Sequence, residues 1–240
     1  MTDVLAMKEQ NRWIASLLSE YLPDAVVITG DIFESDPGVN PYEDLHKLFG
    51  GIPVICTLGN HEFVYMTVDS VLKKYKKQYN PEKWNVHYLD IIGHYDIDTV
   101  RFFGNVLWYD GTMRTIQNQI LADFADGRWL DRTVVDFNPV KECGKCIEQI
   151  LKNQPEDWQT GILCTHCVPT VEMNGHYCEG VRQPFDAFSG VAWLLKKVKC
   201  DYAISGHTHR RIVGKEIDGV KCINTGNDYY PPFQQYLLEV

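Results

Sequence analysis

A chain of 240 residues with 45% hydrophobic residues can bury a large core, and it suits a single domain over residues 1–240 better than two small ones. A formal charge of -9 argues against a protein whose main work is gripping nucleic-acid backbone, so nucleic acid is a disfavoured partner. No run of 18 apolar residues and no charged-then-apolar leader is present, which points to a cytoplasmic protein with no membrane partner.

Residues 3 to 21 place Trp13, Ile14, Leu17, Leu18 and Tyr21 on one helical face, with Pro23 just past the end. Val26 to Thr29 reads as a strand buried on both faces, closed by Gly30-Asp31. The next helix is punctuated by Asn40 as cap, Pro41 at the first position and Gly50-Gly51 as stop. Ile52 to Leu58 is a second buried strand ending at Gly59-Asn60-His61-Glu62, and this helix–strand alternation is the rhythm of a mostly parallel sheet. Val68, Val71, Leu72, Tyr75 and Tyr79 form a further helical stripe, with the neighbouring lysines on a solvated face.

Asn85 to Trp108 turns aromatic and alternating, which predicts antiparallel strands; residues 115 to 126 predict a helix, and 128 to 137 have no clear period. A helix capped by Asn138 runs from Pro139 to about Asn153, and Gly161 to Thr165 is the third buried strand. Val168 to Ser189 is aperiodic, a candidate lid whose His176, Arg182 and Glu172 could touch substrate. A helix around Val191 to Val198 leads into the strand ending at Gly206-His207-Thr208-His209. A hairpin turning at Asp218-Gly219 and a final strand at Tyr236 to Leu238 follow. Trp108, Tyr109, Tyr229 and Tyr230 fall near strand ends, where they could stack on a base or wall the site.

Cys143-Gly144-Lys145-Cys146 and Cys164-Thr165-His166-Cys167 match the spacing of a four-cysteine zinc site. Against that reading, Cys143 and Cys146 share a helical stripe with Ile147, Ile150 and Leu151, and Cys164 sits inside a strand run, so buried thiols account for them better.

Four apolar, β-branched runs end in Asp31, Asn60, His166, His207 and His209, and ligands of α/β sheets bind outside the carboxyl ends of the strands. Each residue alone has a plainer use: Asp31 in a turn, Asn60 as a helix cap, His166 as a satisfied core histidine. Together they are a thiolate-free set of oxygen and nitrogen donors, suited to Mn, Fe, Zn or Ni and to hydrolysis. Two such cations can activate water, orient a phosphoryl group and stabilise a leaving oxygen.

Gly30-Asp31, Gly59-Asn60-His61-Glu62, Thr165-His166 and Gly206-His207-Thr208-His209, in that order, resemble the motifs of the calcineurin-like metallophosphoesterases. Phe102 to Asp110 resembles a segment of some of their bacterial and phage-like members. The resemblance implies an α/β fold, a four-layer αββα sandwich, with a dinuclear divalent metal centre at the strand ends. It also implies a phosphate monoester or diester, a small molecule by preference, as substrate. Asp31 would bridge both metals, Asn60, His166 and His207 would complete one site, and His209 would belong to the other. His61 would be the catalytic acid or a phosphate contact. Members of the family open with a strand ending in Asp-x-His, and the residues before Asp31 read instead as a helix. Asp44-Leu45-His46 is no substitute, because residues two apart in a capped helix point to nearly opposite sides. The expectation is a sandwich missing its first strand, through a late start or truncation, with one complete metal site and a second left with Asp31 and His209. Two alternatives follow. One is a one-metal, catalytically impaired relative acting as a binding or scaffold protein, and the other a nuclease or nucleotide phosphodiesterase, against which the acidic balance counts.

Overall fold

The structure is a computed structural model that describes residues 4–34, 40–112, 130–174, 185, 187–226 and 236–240. Helix α1 (Val4–Tyr21), β1 (Val26–Thr29), α2 (Pro41–Phe49), β2 (Val54–Thr57), α3 (Val68–Gln78), α4 (Pro81–Trp84) and β3 (Val86–Tyr88) build the first half. Then come α5 (Leu89–Ile92), β4 (His94–Ile97), β5 (Val100–Asn105), α6 (Pro139–Lys152), β6 (Thr160–Thr165), α7 (Trp193–Lys197), β7 (Tyr202–Ser205), β8 (Arg211–Ile217) and β9 (Val220–Thr225). The expected punctuation operates: the Asn40 side chain accepts from Tyr42 N–H, Gly50 closes α2 at φ 64, and Asn138 accepts from Lys141 N–H before Pro139.

One sheet has three parallel strands in the order β1-β2-β3. The other has six, β4-β5-β6-β7-β9-β8, parallel through its middle and antiparallel at β4/β5 and β8/β9. Strand alternation sorts the core into layers. Ile55, Phe102, Ile162, Cys164, Ile204 and Ile223 point into one cluster between the sheets. Their neighbours Val54, Cys56, Phe103, Leu163, Ala203 and Cys222 point outward into the cluster that also holds residues of α2, α3, α6 and α7. Two sheets packed between helices result, the sandwich anticipated from the motifs. Among the described residues no helix is long and apolar enough to cross a membrane.

Several expectations are corrected. Val26, Val27 and Ile28 are half-buried rather than enclosed, because β1 is an edge strand that pairs with β2 alone among the described residues. Asn85 to Trp108 is not a run of antiparallel strands. Val86–Tyr88 pairs parallel to β2 and Leu89–Ile92 is a helical turn, so within this stretch only β4 and β5 form a hairpin. The reason is a buried carboxylate: Asp90 accepts from Leu58 N–H at 2.7 Å and Val106 N–H at 2.8 Å, pinning the turn between the two sheets. Residues 236–240 form no strand, although Leu238 packs on the inter-sheet core. Cys143, Cys146 and Cys167 lie in the outer core and Cys164 in the inner one, so these four form no four-thiolate site, and the described cysteines form no disulfide. The expected helix over 115–126 and His176, Arg182, Tyr229 and Tyr230 lie outside the described residues. Trp108 and Tyr109 are fully buried in the core, and Glu172 is exposed.

Candidate metal centre

Asp31, Asn60, His166 and His207 each follow the carboxyl end of a parallel strand: β1, β2, β6 and β7. Their approach needs glycine at two positions. A Cβ on Gly30, which sits at φ 84, would lie 2.5 Å from His166 Nδ1, and one on Gly59 would lie 2.2 Å from Asp31 Oδ1. Asp31 and His207 hold φ 54 and φ 64, left-handed conformations that non-glycine residues adopt where the surroundings enforce them. For Asp31 the enforcing group is Glu62. Its buried carboxylate accepts the N–H groups of Asp31 (3.2 Å), Ile32 (2.7 Å), Phe33 (2.9 Å) and Gly59 (2.7 Å), lashing the end of β1 to the end of β2. Burial and the Asp31 charge push the Glu62 carboxyl up, and these N–H groups pull the other way.

The direction of each proton follows from the partners. His166 Nδ1 lies 2.7 Å from the Thr29 carbonyl, which can only accept, so Nδ1 carries the hydrogen and Nε2 presents a lone pair. His207 Nε2 lies 2.9 Å from the Phe185 carbonyl, so its free lone pair is on Nδ1. Asn60 Nδ2 donates to Asp131 Oδ1 at 2.9 Å, which turns its Oδ1 toward both rings. That oxygen is 2.9 Å from His166 Nε2 and 3.2 Å from His207 Nδ1. The two nitrogens are 3.0 Å apart, and Asp31 Oδ1 is 3.4 Å from His166 Nε2. Four electron-pair donors therefore converge with their hydrogens turned away. Bonds of about 2.1 Å to one cation place neighbouring donors about 3.0 Å apart in an octahedral sphere and about 3.4 Å apart in a tetrahedral one, so the spacing fits a divalent metal.

The electrostatics agree. Burial pushes the His166 imidazole down to about 4, which keeps it neutral. Burial works to raise the Asp31 carboxyl, yet it is held below its ordinary range, the backbone N–H of His61 being among the groups that lower it. Among the described residues, ligand atoms of Asp31, His166 and His207 lie within 4.8 Å of one another. His61 is a quarter exposed and sets Nε2 3.9 Å from Asp31 Oδ2, while its N–H donates to Asp31 Oδ1. His209, at φ 53, is not in the three-residue cluster. His46 is remote, with Nδ1 2.7 Å from the Trp84 carbonyl. The sequence motifs did not include Asp131, which lies in the aperiodic stretch and touches Asn60 only through the fold.

The fold is similar to that of phosphopantetheinyl hydrolase from Mycobacterium tuberculosis, with a TM-score of 0.62 and 15% identity over 84% of this chain and 78% of that one. It is also aligned with a dimetal phosphatase from Danio rerio at a TM-score of 0.42 and 15% identity, covering 89% of this chain and 75% of that one. At such identities the first likeness speaks for the fold alone. No curated protein matches the sequence. The family model described as calcineurin-like phosphoesterase matches residues 6–211, and the chain belongs to the calcineurin-like phosphoesterase family.

Proposed function

We propose that this chain hydrolyses a phosphate monoester or diester with a divalent cation held by Asp31 Oδ1, Asn60 Oδ1, His166 Nε2 and His207 Nδ1. One observation carries the reading. Four donors with their hydrogens turned outward sit 2.9 to 3.4 Å from a neighbour in the set, an arrangement of mutually repelling lone pairs that a cation relieves. The bound metal would supply an activated water and offset charge on the phosphoryl oxygens. Asp31 is the one carboxylate among these donors, so the loaded set keeps a positive charge toward an anionic ester. The oxygen and nitrogen donors suit Mn, Fe, Zn or Ni. His61, partly exposed beside Asp31, would contact a phosphate oxygen or protonate the leaving oxygen. In a dinuclear version of the reading, Asp31 and His209 would help to hold a second ion.

A second reading is a one-metal, catalytically impaired relative that acts as a binding or scaffold protein. Hydrolysis of an aryl phosphate monoester and diester with added Mn(II), for the wild type, Asp31→Asn and His207→Ala, separates the two. The phosphoesterase reading expects cleavage that both substitutions abolish. Metal binding without cleavage supports the binding protein, and activity untouched by either substitution rejects the assigned site.

A further inference from the structure

Asn60 is the one amide in the set, and its chemistry depends on which way it points. An amide rotated half a turn occupies the same space with N–H groups where the oxygen was. In the metal-free protein that flip is electrostatically attractive, because His166 Nε2 and His207 Nδ1 are both lone pairs that a turned Nδ2 could satisfy. A flipped Asn60 presents no donor pair to a cation. Asp131 opposes the flip. Its Oδ1 accepts from Asn60 Nδ2 at 2.9 Å, a charge-assisted bond in a region where Asp131 is 3% and Asn60 6% exposed. Its other oxygen accepts from the Tyr109 hydroxyl at 3.1 Å. Tyr109 is itself fixed edge-on against Phe185 at 5.4 Å, the residue whose carbonyl sets the His207 tautomer.

We infer that Asp131 is a positioning residue that fixes the orientation of the Asn60 amide, with Tyr109 holding the carboxylate in place. The inference rests on the metal-binding reading above. It assigns to the Leu130–Thr133 turn, 71 residues from Asn60 in the chain, a part in building the cation site.

The test is calorimetric titration of the metal-free protein with Mn(II), beside its melting temperature without metal. Asp131→Leu removes the acceptor and should weaken Mn(II) binding about 10–100-fold, the usual effect of losing a partner behind a metal ligand. Asp131→Asn keeps an acceptor oxygen and should stay within about threefold of wild type, which pure charge attraction would not allow. In an Asn60→Ala background Asp131→Leu should cost no further affinity, because its whole effect passes through that amide. The inference is overturned by wild-type affinity in Asp131→Leu, by an Asp131→Asn loss as large as that of Asp131→Leu, or by an Asp131→Leu loss that persists without Asn60. Should Asp131→Leu fail to fold, Asp131→Ala takes its place: a loss of about 10–100-fold beside a retained Asp131→Asn affinity supports positioning, and wild-type affinity contradicts it. A wild-type chain that binds no Mn(II) rejects the metal reading itself, a different outcome from a wild type that binds and a variant that binds equally well.

Discussion

Gly59→Ala adds one methyl group where the strand ends of β1, β2 and β6 meet. The new carbon would lie 2.2 Å from Asp31 Oδ1, 2.3 Å from Asp31 N and 2.8 Å from His166 Cε1, all inside the 3.0 Å that real Cβ atoms keep. Relief cannot come from a flexible side-chain end alone. The Asp31 backbone is held by Glu62, and His166 is held by the Thr29 carbonyl. Overpacking of this kind costs about 1–3 kcal/mol, which for a chain of this length lowers the melting temperature by about 2–12 °C. The larger effect falls on the metal. Coordination distances tolerate only about 0.2 Å, so displacing Asp31 or His166 by more than that should weaken Mn(II) binding by at least about 100-fold. The measurement pairs calorimetric Mn(II) titration with thermal melts of the metal-free protein. Gly144→Ala is the control: no atom lies within 4 Å of its added carbon, and a half-buried helical position with that room should gain about 0.5–1 kcal/mol with metal affinity unchanged. A Gly59→Ala protein that binds Mn(II) like wild type would refute the reasoning, because the donors could not then be packed as described.

Glu62→Gln leaves only one acceptor oxygen for four backbone N–H groups, so the metal-free melting temperature should fall by about 5–10 °C; an unchanged melt would show that the lashing of β1 to β2 contributes nothing. His61→Ala should lower turnover by about 10²–10⁴-fold while Mn(II) affinity stays within about threefold, and an equal loss of affinity would make His61 a ligand instead. His87 is pushed down to about 4 by burial, against 6.5 in an unfolded chain. Between those values the unfolded state binds the extra proton, so the stability His87 contributes is complete above about pH 6.5 and drains as pH falls toward 4. Urea unfolding of wild type and His87→Gln from pH 7.5 to 4.5 should therefore show a stability difference that moves against wild type on acidification. A pH-independent difference would contradict it. The comparison cancels groups such as Asp90, raised to about 7 by burial, whose titration runs the opposite way.

Legibility of the sequence followed the range of the interactions involved. Helices α2 and α6 could be placed from local capping chemistry, since Asn40, Pro41, Gly50, Asn138 and Pro139 act within a few residues. The turn at Asp218 and Gly219 likewise holds φ 51 and φ 82, the conformation that such a pair favours. The donors could be read because each follows a short apolar strand, and strand ends gather ligands. What escaped depends on distant partners. Val86–Tyr88 looked like the start of a hairpin, and only its pairing with β2 makes it parallel. Asp131 carries no motif, and its meaning comes from an amide far along the chain. The tautomers of His166 and His207 are set by backbone carbonyls at Thr29 and Phe185, which no side-chain pattern encodes.

The central claim, that these four donors form a cation site, is tested most directly by the effect of metal on stability. At a Mn(II) concentration of about 100 times Kd, binding should stabilise the fold by about 2.7 kcal/mol, raising the melting temperature by about 5–11 °C over the chelator-treated protein. His207→Ala and Asp31→Asn should lose that rise while folding without metal. No Mn(II)-dependent rise in the wild type, or the same rise in both variants, would contradict the account.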